Sequence, residues 1–289
     1  MTSLTAHPAF PPTPPTPPVP AAGPVPRRVA LARTVRSEFT KIRSVRSTYW
    51  TLTLLALTGV VWCVAYCLGT VHQWPHMSAQ DRAGFDATQN SIIGLALLGQ
   101  LVIVVLGALM ITAEYSTGTV RASLTAMPRR GTLYAAKAVV FAAVGLVVSL
   151  AASFGTYFLG RALLASTHAT MSLSQPGVLR SVVITALFVE VCGLFAFGVG
   201  ALVRNAAGAL TLTYGCLALL PELIRAMPES VHNALMRWVP GGDALGVMTA
   251  TLGGQRPLLF SAWGELAVFA GYAAVVLAAG AVLFSRRDA

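Results

Sequence analysis

Long runs of apolar residues, separated by short polar stretches, occupy most of the chain from residue 50 onward. A membrane-spanning helix needs about 20 mostly apolar residues, because each residue advances a helix by about 1.5 Å. Runs of this length occur at residues 50–70, 91–113, 138–160, 182–203, 206–223 and 266–284. The pattern therefore predicts six transmembrane helices. The fifth is the weakest, since Pro221 stands near its end.

Residues 29–49, directly before the first apolar run, are amphipathic. Their apolar residues recur at spacings of three and four, as on one face of a helix: Leu31, Val35, Phe39, Ile42, Val45 and Tyr49. Lys41 and Arg43 lie roughly opposite this stripe, whereas Glu38 falls near it. A basic amphipathic helix at this place is expected to lie in the membrane interface, with its cations on anionic headgroups.

The N-terminal segment has a different composition. Residues 8–26 contain ten prolines, a density that prevents helix and sheet formation. We expect residues 1–28 to form a disordered cytoplasmic tail. An SH3-like partner for the tail is the alternative. Residues 29–289 would form one transmembrane domain.

Composition and charge support a membrane protein. The chain is 55% hydrophobic and 10% charged, against about 25% charged residues in soluble domains. The net charge of +10 comes from residues at the ends of apolar runs and so does not indicate nucleic acid. With the N-terminus inside, 14 of the 20 Lys and Arg residues are cytoplasmic. The positive-inside rule then places both termini in the cytoplasm. The predicted fold is an all-α integral membrane protein with one interfacial helix and six spans.

The loop between the second and third spans is the most informative polar stretch. Thr117-Gly118 favours a turn, and Thr119 can cap a short helix that ends before Pro128. Arg121 and Arg129 accompany this helix on the predicted cytoplasmic face. Such a helix suits docking onto a soluble partner, and the alternative is an ordinary polar loop whose arginines serve topology.

Two polar residues stand inside predicted spans. Glu190 lies in the fourth span, about 12 Å from its outer end at about 1.5 Å per residue. A carboxyl at this depth costs free energy unless it is protonated, paired with a cation or in contact with water. Glu190 is therefore a candidate for the translocation path. The alternative is a packing carboxyl. Gln100 in the second span is a second candidate that is cheaper to bury, and a structural hydrogen bond is its alternative role.

Small residues at four-residue spacing mark helix contacts within the bundle. Gly145, Ser149 and Ser153 form such a stripe on the third span, and Ala196 and Gly200 form one on the fourth. Small side chains let helices approach closely in lipid. We expect these stripes to meet other spans.

Motifs for catalysis or ATP binding are missing from the sequence. It contains no GxxxxGK[ST] loop, whose glycines and lysine bind phosphate, and no Ser-His-Asp set, HExxH or paired carboxylates. We predict no cofactor, no metal and no enzymatic activity. Cys63 and Cys67 with nearby His72 and His76 suggest copper, but Pro75 disrupts the helical register and the cysteines lie within an apolar run.

Four segments together resemble ABC-2 type permeases, especially the small six-helix bacterial drug exporters. They are SEFTKIRSVRSTYWTL, AEYSTGTVRASLTAMPRRGTLYAAK, RNAAGAL and PELIRAMPESVHNALMRWVPGGDAL, in that order along the chain. With the six-span layout they cover nearly everything after residue 30.

The resemblance implies an interfacial elbow helix, a coupling helix in the first inner loop, and an outer re-entrant hairpin before the sixth span. It assigns contact with a separate ABC ATPase subunit to Glu114, Tyr115, Gly118, Thr119, Arg121 and Arg129. It also implies ATP-driven export of a small drug-like or amphiphilic substrate across the plasma membrane, by a homodimer or a heterodimer with a similar permease. A non-transporting scaffold or sensor and a membrane-embedded enzyme remain the alternatives.

Overall fold

The computed structural model describes residues 27–44, 46–117, 130–167, 172–239 and 261–286. Within these ranges the chain is helical and contains no strand. The α-helices are α1 (Arg27–Ser44), α2 (Arg46–Gln73), α3 (Ala79–Ala83), α4 (Ala87–Gly94), α5 (Gln100–Thr117), α6 (Arg130–Leu163), α7 (Val178–Val203), α8 (Ala206–Tyr214), α9 (Leu220–Arg225), α10 (Glu229–Leu235) and α11 (Ala262–Arg286).

In the described ranges, six helical segments are long and apolar enough to cross a membrane, as the sequence predicts. The first, third, fourth and sixth spans are built on α2, α6, α7 and α11. The second span joins α4 to α5 through a π-helical turn at Leu95–Gly99, and the fifth joins α8 to α9 through a similar turn at Gly215–Leu219. π-Turns are uncommon and change the direction of the side chains that follow.

Several elements begin or end outside the predicted runs. The third span starts at Arg130, eight residues before the apolar run. Between the predicted fifth and sixth spans, α10 and a 3₁₀ turn at Met236–Trp238 are present. The predicted re-entrant hairpin continues into residues outside the described ranges.

The link between the fourth and fifth spans shows how a two-residue connection reverses the chain. Arg204 adopts a left-handed conformation with φ 59°, and its N–H donates to the Gly200 carbonyl, which ends α7. Asn205 then caps α8, since its side-chain oxygen accepts a hydrogen bond of 3.0 Å from the Gly208 N–H. These two hydrogen bonds satisfy a backbone carbonyl and a backbone N–H at the helix ends, which lipid could not satisfy.

The fourth span is the central helix of the bundle. It packs against the second, third, fifth and sixth spans. In its apolar part 78% of the residues are buried, against 17% in the sixth span. Most residues of the sixth span therefore lie outside the core of the bundle, whereas most residues of the fourth are buried in it.

Glycines allow this central helix to approach its neighbours. The Cα of Gly107 in the second span lies so close to the fourth span that a methyl group there would collide with the carbonyl of Gly193. Gly198 faces the sixth span in the same way, where a methyl group would lie 2.9 Å from the Leu277 nitrogen. Close backbone contact replaces the hydrophobic effect, which does not drive helices together in lipid.

An alanine at Gly107 tests this packing. We expect Gly107→Ala to destabilise the folded protein by about 1–3 kcal/mol, because the added methyl group overpacks against a backbone atom that cannot move cheaply. Gly271→Ala in the sixth span is the control, since open space surrounds Gly271. Thermal unfolding in detergent should separate the two variants, and equal midpoints would contradict the close approach.

Candidate functional site

A buried ion pair attaches the interfacial helix α1 to the third span. The Lys137 ammonium lies 2.6 Å from one carboxylate oxygen of Glu38, and Lys41 lies 2.6 Å from the other. Glu38 and Lys137 are 2% and 3% exposed, whereas the Lys41 side chain is 48% exposed. Burial by itself would raise the pKa of Glu38, but its hydrogen bonds and attraction to Lys137 and Lys41 lower the pKa below the ordinary value.

The ion pair explains which face of α1 meets the protein. Thr34 and Glu38 are buried, whereas Phe39 of the predicted apolar stripe is 49% exposed. The face of α1 that carries Thr34 and Glu38 therefore packs on α6, and Phe39 stays outside this contact. Sequence analysis placed Glu38 near the stripe without a partner, because Lys137 is distant in the chain.

The ion pair lies at the end of the third span that joins the predicted coupling loop. Lys137 is seven residues after Arg130, the first residue of α6, which places it about 10 Å along the helix. Of the predicted coupling residues, Glu114 and Tyr115 belong to the last turns of α5. The others, Gly118, Thr119, Arg121 and Arg129, lie outside the described ranges.

Glu190 occupies a close contact between the third and fourth spans. The side chain is 4% exposed, and neither carboxyl oxygen has a hydrogen-bond partner among the described residues. The carboxyl lies directly against Gly145, where a Cβ atom would stand 2.8 Å from the carboxyl carbon. We call this contact between the third and fourth spans, which includes Gly145 and Glu190, the seam.

The small-residue stripe of the third span forms the rest of the seam, which confirms that the stripe is a helix contact. Ser153 donates a 2.8 Å hydrogen bond to the Val182 carbonyl of the fourth span. Ser149 lies between this contact and Gly145 on the stripe; it is buried, and its hydroxyl has no hydrogen-bond partner among the described residues. The antiparallel register therefore brings Gly145 opposite Glu190.

Gln100 contacts a different side of the fourth span. Its side-chain oxygen lies 3.9 Å from the Cys192 sulfur. Cys192 follows Glu190 by two residues and so points about 200° away around the helix, at about 3.6 residues per turn. The two predicted path residues are thus placed on opposite faces of one helix.

Tyr214 of the fifth span adds a polar contact near Gln100. Its hydroxyl donates a 2.6 Å hydrogen bond to the backbone carbonyl of Leu101. Leu101 directly follows Gln100, the first residue after the π-turn of the second span, and Tyr214 precedes the π-turn of the fifth. Sequence analysis missed Tyr214 because a single tyrosine in an apolar run gives no signal of its partner.

The cysteines and histidines do not form a cation site in the described part of the chain. The sulfurs of Cys63 and Cys67 are 3.9 Å apart and buried. No group of three or more His, Cys, Asp or Glu side chains gathers among the described residues. Among the described residues, Glu190 is a buried carboxyl whose two oxygens both lack a hydrogen-bond partner. An isolated carboxylate costs tens of kcal/mol in a medium of low dielectric, against roughly 2–7 for a neutral polar group without a hydrogen bond.

These features define a class: a six-span helical membrane protein with an interfacial helix fixed to its third span. The model of the ABC-2 family transporter proteins matches residues 32–289, from α1 to the end of the chain. The chain therefore belongs to the ABC-2 family of transporter proteins. No curated protein matches it.

Removing Lys137 tests the attachment of α1. We expect Lys137→Met to destabilise the protein by about 3 kcal/mol, at the lower end of the range for breaking a buried pair, because Lys41 still contacts Glu38. Lys41→Met is the matched control and should cost less than about 1 kcal/mol, since Lys41 is half exposed. Denaturant unfolding in detergent measures both, and equal losses would contradict the buried pair.

Acid should release the same attachment. Because the folded-state pKa of Glu38 is lowered, the stabilisation is complete above the unfolded value of about 4.3 and is lost as the pH falls through the folded value. Wild type should therefore lose more stability below about pH 4 than Glu38→Gln does. Parallel pH profiles for the two proteins would contradict this account.

Proposed function

We propose that this chain is the membrane-spanning permease subunit of an ABC exporter whose ATP is hydrolysed on a separate nucleotide-binding subunit. The observation that carries the proposal is the family match over residues 32–289, together with the six spans. The substrate would be small and drug-like or amphiphilic, in keeping with apolar helix surfaces. Outward direction follows from the resemblance to bacterial drug exporters.

The structure supports a route for coupling. The predicted coupling loop continues directly from α5 and into α6. Since Glu38 and Lys137 attach α1 to α6, a force on the loop would move the third span and the interfacial helix together. ATP binding on the partner subunits would act through the loop on these two elements and change access to the path.

The proposal includes a dimeric assembly and a location in the plasma membrane. Two permease subunits, as a homodimer or a heterodimer with a similar permease, would line one path in the plasma membrane. Both termini and the loop at residues 118–129 would be cytoplasmic, in accordance with the positive-inside rule. The proline-rich residues 1–28 would form a tail outside the transmembrane domain.

Co-purification tests the partnership. The tagged chain is expressed with a candidate P-loop ATPase from the same cell and extracted in mild detergent. We expect the ATPase to be retained by wild type and lost from a Glu114→Ala, Arg121→Ala double variant. The matched control is Glu222→Ala, Arg225→Ala, which removes an exposed acid–arginine pair in α9, at the opposite end of the bundle.

The outcomes separate the candidate functions. Loss of the ATPase from the loop variant, with retention by the α9 variant, supports the permease and places the contact in the loop. Equal retention by all three proteins moves the contact elsewhere. If folded wild type retains no ATPase, the scaffold or sensor is the better account.

We further propose that Gln100 faces the translocation path, and that Glu190, on the opposite face of the fourth span, would border the path only when the third and fourth spans separate. Gln100 is half-buried in the second span, beside Cys192. In a variant whose four native cysteines are replaced, Gln100→Cys should react with a charged thiol reagent faster than Leu109→Cys. Leu109 is the control because it lies on the same helix and is 41% exposed on the outer surface of the bundle. A charged reagent needs water, so equal rates would contradict a wet path at Gln100.

A further inference from the structure

We propose that Glu190 is a proton-binding site in the seam between the third and fourth spans, and that its carboxyl holds a proton at neutral pH while the seam is closed. This goes beyond the permease assignment and does not depend on it. The argument rests on the burial of the carboxyl, on its surroundings and on the space around it.

The carboxyl is buried, and no hydrogen-bond donor among the described residues stabilises a negative charge on it. Glu190 is 4% exposed, and both of its oxygens lack a hydrogen-bond partner in the described part of the chain. A carboxylate that is ionised in a protein interior is normally paired or accepts hydrogen bonds. Glu38 shows the ionised arrangement in the same molecule, since each of its oxygens contacts a lysine.

The cations of the two helices are distant from the seam. Lys137 precedes Gly145 by eight residues, about 12 Å along α6, and is bonded to Glu38. Arg180 and Arg204 lie about 15 Å and 21 Å from Glu190 along α7, at about 1.5 Å per residue. The other titratable side chains described on α7 and on the elements packed against it are Arg130, Tyr134, Tyr157, Arg161, Cys192, Tyr214, Cys216, Glu265, Tyr272 and Arg286. None of them bonds to Glu190.

The small space between Gly145 and the Glu190 carboxyl limits what can bind on that side of the carboxyl. A Cβ atom on Gly145 would stand 2.8 Å from the carboxyl carbon and 3.0 Å from Oε1 of Glu190. A site that has no room for one methyl group on this side has no room there for a metal ion or an organic amine. A proton adds no volume, and it removes the charge that the seam cannot stabilise.

The protonation of Glu190 would depend on how closely the third and fourth spans pack. Separation of the third and fourth spans would admit water to the carboxyl and favour its ionised form. Opening of the seam then releases a proton, and closing takes one up. Any motion of the third span that is driven through the coupling loop would include this exchange.

Infrared spectroscopy tests the proposal on the purified protein without an ATPase. At neutral pH exposed carboxyls are ionised, so a C=O stretch of a protonated carboxyl identifies a buried acid. We expect this band in wild type, its loss in Glu190→Gln, and its retention in Glu222→Gln, where the carboxyl is exposed. A wild type without the band, or a band that persists in Glu190→Gln, overturns the proposal.

A second pair of variants tests the location and leaves Glu190 in place. Gly145→Ala brings a methyl group against the carboxyl and should shift the frequency of the band. Gly155→Ala, on the same helix with open space around it, should leave the band unchanged. A band that is identical in both variants would overturn the placement of the proton in the seam. Failure of the permease proposal would leave all of these results unaffected.

Discussion

Close packing around the fourth span is the constraint on which the rest of the structure depends. In lipid the hydrophobic effect does not drive apolar helices together. The bundle therefore relies on close backbone contact and on hydrogen bonds formed by polar groups inside it. Gly107 meets the Gly193 carbonyl, and Gly145 meets the Glu190 carboxyl. The same close approach leaves Glu190 buried and without a hydrogen-bond partner among the described residues.

A second polar contact attaches the interfacial helix α1 to the bundle. Glu38 and Lys137 are buried together where α1 crosses the third span. The third span therefore contacts the interfacial helix near one end and the carboxyl of the fourth span eight residues farther along, at Gly145. Like the second span, it leads from the proposed coupling loop to the buried interior.

Local patterns predicted the six spans and the small-residue stripe, because length, hydropathy and spacing are properties of single segments. Pairing across the bundle could not be predicted. Lys137 stands just before the third apolar run, and a hydropathy pattern cannot show that Glu38, far away in the chain, neutralises it. Glu190 was recognised as unusual from its depth, yet its position against Gly145 depends on the register of two antiparallel helices. Tyr214 gave no signal, since its partner is a backbone carbonyl.

The central claim is that the chain couples its motion to ATP hydrolysis on a partner. Reconstitution in liposomes tests it most directly, with hydrolysis measured for the partner ATPase alone, the chain alone and both together. The account predicts no hydrolysis by the chain alone and a clear increase over the partner alone when both are present. Hydrolysis by the partner that is the same with and without the folded chain would contradict it.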